Sequence, residues 1–179
     1  MILPLVDPYN EVLFKKTEKF DFANPPENPI ELYKNLAETM LHHGGIGLAA
    51  PQCGLQHNFF VIRSDPVIGM FNAKIVDQGE ELIEMDEGCL SYKGIILNIA
   101  RPKNIKVRYT RPDGVTVTEM YTGMTARVIQ HEISHVNGKV FLELCSNLQV
   151  VMAIKKSNKK FGTKYNQVKL NNAMKIARS

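Results

Sequence analysis

Long apolar runs are missing from this 179-residue chain. No stretch approaches the roughly 18 consecutive apolar residues of a membrane-spanning helix, which excludes one. The opening Met1-Ile2-Leu3-Pro4-Leu5-Val6-Asp7 carries no basic cluster, and its apolar run is too short for a secretory leader. A cytoplasmic protein is expected. Cysteine is scarce: Cys53, Cys89 and Cys145 form an odd, low set. That argues against a disulfide framework and for free thiols in a reducing compartment. Internal repeats and any linker to a second domain are lacking as well. Acidic residues are absent from Asn147 to Ser179, where seven Lys and Arg178 give a local charge of +8. The remainder then holds 14 basic against 18 acidic residues, a charge of −4. Such asymmetry suits a polyanionic partner for the tail, or a merely solubilising tail. What is present is ordinary: 44% hydrophobic and 22% charged residues exclude wholesale disorder, and 20.2 kDa suits one domain.

Breakers and periodicity divide the chain into mixed α and β segments. Residues 1–26 read as an extended lead-in. In Asn24-Pro25-Pro26-Glu27-Asn28-Pro29, Asn28 is a helix N-cap, Pro29 suits the first helical position and Glu31 falls at N3. Leu32, Leu36 and Met40 then form a buried stripe, and Gly44-Gly45 ends the helix. Phe59–Arg63, Met70–Val76 and Glu81–Met85 read as strands. Ile105, Val107 and Tyr109 alternate, as do Val115 and Val117, around the turn Arg111-Pro112-Asp113-Gly114; this predicts a hairpin over 104–121. A second helix runs from about Met124 to Asn137, closed by Gly138. A third follows Ser146, with Leu148, Val151 and Met152 on one side. Beyond Ser157 the Lys- and Asn-rich composition predicts weak order.

The chemistry concentrates in His131-Glu132-Ile133-Ser134-His135. Residues i and i+4 share a helix face, so two imidazoles one turn apart can hold one metal ion. Glu132 is then placed to take a proton from water. The bland alternative is two incidental histidines, one buried and one solvated. A mononuclear catalytic site wants three protein ligands. The pattern HExxHxxGxxH runs through Gly138 but ends on Phe141, which cannot ligate, and Glu143 lies closer to His135 than a downstream Glu ligand should. Cys89, in Glu87-Gly88-Cys89-Leu90-Ser91, is the best remaining candidate, because a thiolate binds zinc or ferrous iron strongly. On spacing alone it reads as well as a small buried hydrophobe. The small residues of Gly45-Ile46-Gly47-Leu48-Ala49-Ala50-Pro51-Gln52 permit close backbone approach, and Gln52 brings an amide donor. A tight helix-to-strand connection explains that segment too.

Taken in order, Gly45–Gln52, Glu87–Ser91 and Gln130–His135 resemble the three signatures of the peptide deformylase family, GxGLAAxQ, EGCLS and QHExDH. The likeness continues through Gly123, Ala126-Arg127 and Gly138 and covers roughly residues 30–145; the tail lies outside it. The resemblance implies a single α+β domain, with antiparallel β-sheets packed around a central helix carrying HExxH. A catalytic domain at 1–146 would be followed by a basic C-terminal helix or tail at 147–179. It implies metal-dependent removal of the formyl group from the N-terminal methionine of newly made polypeptides, with release of formate. Cys89, His131 and His135 would hold the metal, usually Fe²⁺, with Zn²⁺ or Ni²⁺ in purified protein. Glu132 would be the catalytic acid/base, and the Gln52 side chain and Leu90 N–H the oxyanion donors. An apolar methionine pocket would draw on Ile46, Met85, Met124 and Val128, although each reads equally as core, and Gly47 would pair its backbone with the substrate. A monomer is expected, and by analogy the basic tail would meet the ribosome or its RNA.

Three departures stand out. Ser134 replaces the family's Asp, which weakens any salt bridge to Arg127 or Arg101. Lys93 replaces the Pro of SxPG, which loosens a segment next to Cys89 and places a cation near the site mouth. Cys53 replaces a common Val and reads as packing, with some liability to oxidation. None removes a ligand, the base or an oxyanion donor, so an active enzyme is expected. The rival readings are an HExxH endoprotease and a non-catalytic RNA- or ribosome-binding module.

Overall fold

The computed structural model describes residues 1–178. The first helix, α1, spans Pro29–His42. Its N-cap is Asn28, whose side chain accepts from the N–H groups of Ile30 and Glu31. Leu32, Leu36 and Met40 are buried along one face, and Gly44 turns the chain at φ +68°. Seven strands follow: β1 (Gly47–Ala49), β2 (Phe59–Ile62), β3 (Ile68–Gln78), β4 (Leu82–Glu87), β5 (Leu97–Pro102), β6 (Asn104–Thr110) and β7 (Thr116–Thr122). Helices α2 (Gly123–Val136), α3 (Asn147–Phe161) and α4 (Gln167–Arg178) complete the fold. Ser179, the end of the basic segment, lies outside the described residues.

All strand pairs within the two sheets are antiparallel. A five-stranded sheet has the order β1-β2-β3-β6-β7, and β4 pairs only with β5. Side chains alternate across the larger sheet because the strand period is two. Phe59, Val61 and Phe71 therefore pack with Leu32, Leu36 and Met40 of α1. Phe60, Ile62 and Met70 face the other way, onto Ala126, Ile129 and Val136 of α2. Helix α2 thus lies across the sheet as an inner element, and its second flank meets a further core. That core joins Tyr92, Ile99 and Phe141 to Val150 and Ile154 of α3 and Leu170 of α4. The fold is the single-domain α+β arrangement expected, with antiparallel sheets around the helix that carries His131 and His135.

Several local expectations meet physical detail. The 104–121 hairpin forms, with Asn104 opposite Thr122 and Thr110 opposite Thr116. Gly138, at φ +69°, ends α2 where a Cβ would come within 2.6 Å of the Lys15 carbonyl carbon. Only glycine satisfies both the left-handed backbone and that contact. Helix α3 forms after Ser146 but presents another face than expected. Leu148 and Met152 are exposed, whereas Val150, Ile154 and Ser157 are buried. The buried stripe includes a serine because its hydroxyl bonds to the Lys93 carbonyl at 3.0 Å. Strands β1 and β5 are additional to the pattern read from sequence.

Candidate active site

His131 and His135 stand one turn apart on α2, both buried, with ring centroids 5.0 Å apart. Cys89 stands one residue beyond β4, after Gly88, and caps the short turn Leu90–Tyr92. Its Sγ lies 3.3 Å from His135 Nε2. Ligand atoms of Cys89, His131 and His135 all fall within 4.8 Å of one another. Phe141 does not approach as a ligand; its buried ring packs 5.5 Å from that of His131. One thiol and two imidazoles form a donor set suited to Zn²⁺ or Fe²⁺. Burial, and then the Glu132 charge, push the Cys89 thiol up to about 12 in the absence of an ion. Burial, and then the neighbouring His131 and Arg101, hold His135 well below its ordinary value. Buried groups of this kind, convergent on one point, fit a divalent cation.

A carboxylate supports the cluster from behind. Glu87, the last residue of β4, places Oε2 2.9 Å from His131 Nδ1. Arg101 of β5 grips the same carboxylate twice, Nε–H to Oε1 at 2.6 Å and Nη2–H to Oε2 at 2.9 Å. Arg127 of α2 adds Nη1–H to Oε1 at 2.8 Å. Burial alone would raise the Glu87 carboxyl, but the hydrogen bonds from His131, Arg101 and Arg127 and the Arg101 charge hold it well below the usual range. Ser134 meets Arg101, whose Nη1 lies 3.3 Å from its hydroxyl, rather than Arg127.

Glu132 behaves oppositely. It is 3% exposed, and its Oε2 has no hydrogen-bond partner. Burial and the charge of Glu87 raise its pKa well above the ordinary value, with Arg101 opposing. Two carboxylates with separated pKa values mark division of labour: Glu87 stays ionised as a support, and Glu132 can exchange a proton. Gly47 lets Glu132 sit so close to β1. A Cβ there would collide with Glu132 Oε1 and lie 2.7 Å from Val128 Cγ1.

Gln52 sits beneath the cluster, 2% exposed. The Ala49 N–H donates to its Oε1 at 2.8 Å, which orients the amide. Its Nε2 then points to Cys89 Sγ at 3.4 Å and Ser91 Oγ at 3.0 Å. Leu90 is the first residue of the turn after Cys89, a position whose N–H has no partner within the turn. Gln52, Cys89, Leu90, His131 and Glu132 line one cleft of about 550 Å³, together with Ile46, Gly47, Met124 and Val128, while His135 lies outside the lining. Ile46 and Met124 stand at its rim, 53% and 57% exposed, and Val128 lies deeper at 8%. Met85 is outside the lining; it sits on β4 opposite Ile99. His43, Asp86 and Lys93 also line the cleft, and only Lys93 among them is foreshadowed by sequence. The supporting role of Glu87 was not foreseen, although its place two residues before Cys89, at the end of a strand, was the available signal.

A family model for polypeptide deformylases matches residues 2–151. A peptide deformylase of Thermotoga petrophila is 38% identical over 152 residues, 84% of this chain and 89% of that protein. The crystal structure of a peptide deformylase from Legionella pneumophila superimposes with a TM-score of 0.81 at 30% identity, covering 89% of this chain and 95% of its own. One from Synechococcus elongatus, in complex with actinonin, also gives 0.81 at 30% identity, covering 87% and 86%. With its fold, its signatures and its relatives in agreement, this chain belongs to the polypeptide deformylase family.

Proposed function

We propose that this enzyme hydrolyses the formyl group from the N-terminal methionine of newly made polypeptides in the cytoplasm and releases formate. The observation that carries the reading is that Cys89, His131, Glu132 and Gln52 line one cleft, with the buried His135 ring behind it within reach of the same point. Cys89, His131 and His135 would hold one divalent ion, Fe²⁺ natively, with Zn²⁺ or Ni²⁺ able to replace it. When bound, such an ion supplies Lewis acidity, which makes a water nucleophilic near neutral pH and polarises a carbonyl.

The remaining steps belong to side chains of this protein. Glu132 accepts the proton of the attacking water and later delivers it to the departing amine; its raised pKa suits both roles near neutrality. Charge that develops on the formyl oxygen is met by Gln52 Nε2 and the Leu90 N–H. The Ala49 N–H already holds the Gln52 amide, so Nε2 has only to exchange its Cys89 or Ser91 contact for the oxyanion. The methionine side chain enters between Ile46, Met124 and Val128, where an apolar wall suits a thioether. Strand β1 is an edge of its sheet, so Gly47 can add the substrate backbone as a further strand. The basic tail supplies charge for ribosomal RNA, an interaction that weakens steeply with salt.

The test is formate release from formyl-Met-Ala-Ser by anaerobically purified, Fe²⁺-loaded protein, with actinonin, which the Synechococcus elongatus relative holds, as a competing ligand. Formate release blocked by actinonin is expected. A folded, metal-loaded protein that releases none, or that cuts an internal bond of unformylated peptides, contradicts the reading.

A further inference from the structure

A second pocket, of about 420 Å³, opens on another face of α2 and is lined by Lys16, Ile75, Arg101, Gln130, Ile133, Ser134, Asn137 and Lys139. Three of these residues are cationic, and none is acidic. We propose that this pocket binds a small carboxylate anion against Arg101. The inference does not depend on the proposed reaction.

The warrant is a charge and hydrogen-bond imbalance in the buried cluster next to it. Two guanidiniums, Arg101 and Arg127, share one carboxylate, Glu87. The Arg101 side chain is 9% exposed and that of Arg127 4%. The buried Arg127 Nε also has no partner. Arg101 commits Nε and Nη2 to Glu87. Its Nη1 is left with two neutral contacts, the Ser134 hydroxyl at 3.3 Å and the Gln130 carbonyl at 3.5 Å. Both are long for a bond from a charged donor, which normally spans about 2.7–2.9 Å to an ionised acceptor. Ser134 meanwhile gives its own proton to the Gln130 carbonyl at 2.9 Å. Arg101 thus shares its one carboxylate with Arg127 and His131 and meets only neutral oxygens on its other side, a costly arrangement for buried cations. The side of Arg101 that Glu87 does not hold borders a polar pocket roomy enough for an anion and its waters. Lys16 and Lys139 add exposed positive charge around it. A planar carboxylate can accept from Arg101 Nη1 and from a turned Ser134 hydroxyl, and so complete the cluster.

The experiment is thermal unfolding of the metal-loaded protein in formate, acetate, phosphate or chloride at constant ionic strength. Formate and acetate are expected to raise Tm saturably, and chloride is expected to have little effect. S134D places a carboxylate beside Arg101; it should unfold at higher temperature in anion-free buffer and lose the response to added carboxylate. The double variant K16Q/K139Q should keep the fold and weaken the apparent affinity by about two- to fivefold for each charge removed. It keeps the proposal testable if S134D folds poorly. An equal response in wild type, S134D and K16Q/K139Q assigns the anion to the metal centre or the general surface and overturns the proposal. So does stabilisation by phosphate alone, or none at all.

Discussion

Glu87 Oε2 lies 2.9 Å from His131 Nδ1, and Arg101 and Arg127 clamp the same carboxylate from its other sides. Because Glu87 is held ionised, His131 must donate from Nδ1, and this leaves Nε2 as the lone-pair nitrogen for a metal. The orientation of one candidate ligand on α2 is thus set by a residue at the end of β4. Glu87→Gln should weaken metal retention by about 10- to 100-fold, as measured by chelator competition on folded protein. Loss of the shared counter-charge should also destabilise the fold by about 3–5 kcal/mol. Unchanged metal affinity would show that the contact is incidental.

A Cβ on Gly47 of β1 would collide with the Glu132 carboxylate of α2. Gly47→Ala should push the Glu132 carboxylate aside while leaving the Cys89, His131 and His135 set in place. A displacement of about 1 Å at a catalytic group costs on the order of 100-fold in rate. The expected outcome is a kcat loss of that order with metal content unchanged. A variant that keeps full kcat would separate Glu132 from the chemistry.

The Lys93 carbonyl accepts from the Ser157 hydroxyl at 3.0 Å and the Tyr165 hydroxyl at 3.3 Å. The segment after Cys89, which lacks the family's proline, is therefore held by α3 and the chain that follows it. Ser157→Ala should cost about 1 kcal/mol and speed amide hydrogen exchange across residues 91–94. Exchange at wild-type rates would mean that the segment is held by other contacts.

Leu170 is fully buried and joins α4 to the core around Phe141. Leu170→Ala should lower stability by about 2–5 kcal/mol in denaturant melts. A loss near zero would show that α4 does not contribute to that core.

Cys53 packs beside the core under α1, and burial pushes its thiol up to about 12. At pH 8 it stays almost wholly protonated, so labelling with iodoacetamide should be slow in native protein and rapid after unfolding. Rapid native labelling would mark it as the oxidation liability that its position first suggested.

The parts of the fold read correctly from sequence are those where one local signal dominates. Asn28-Pro29 caps α1, the Leu32–Leu36–Met40 stripe faces the core, and the Arg111–Gly114 turn closes its hairpin. The His131 and His135 spacing places both rings on one helix face. Other features depended on distant partners. Strand β1 is three residues long, too short for any period to show. Strand β5 alternates properly, but its inward positions are Leu97, Ile99 and Arg101, and a buried arginine breaks the apolar pattern that marks a strand. Only Glu87, from the neighbouring strand, makes that arginine acceptable inside. The face of α3 was obscured in the same way, because Ser157 is buried for a bond to Lys93, 64 residues away.

Metal content and formate release, measured on the same anaerobic Fe²⁺ preparations of wild type, Cys89→Ala and Glu132→Ala, test the assignment of the site most directly. Wild type should hold one ion per chain and release formate from formyl-Met-Ala-Ser. Glu132→Ala should keep the ion and lose turnover, and Cys89→Ala should lose both. Full metal content and turnover in Cys89→Ala, or wild-type turnover in Glu132→Ala, would contradict it.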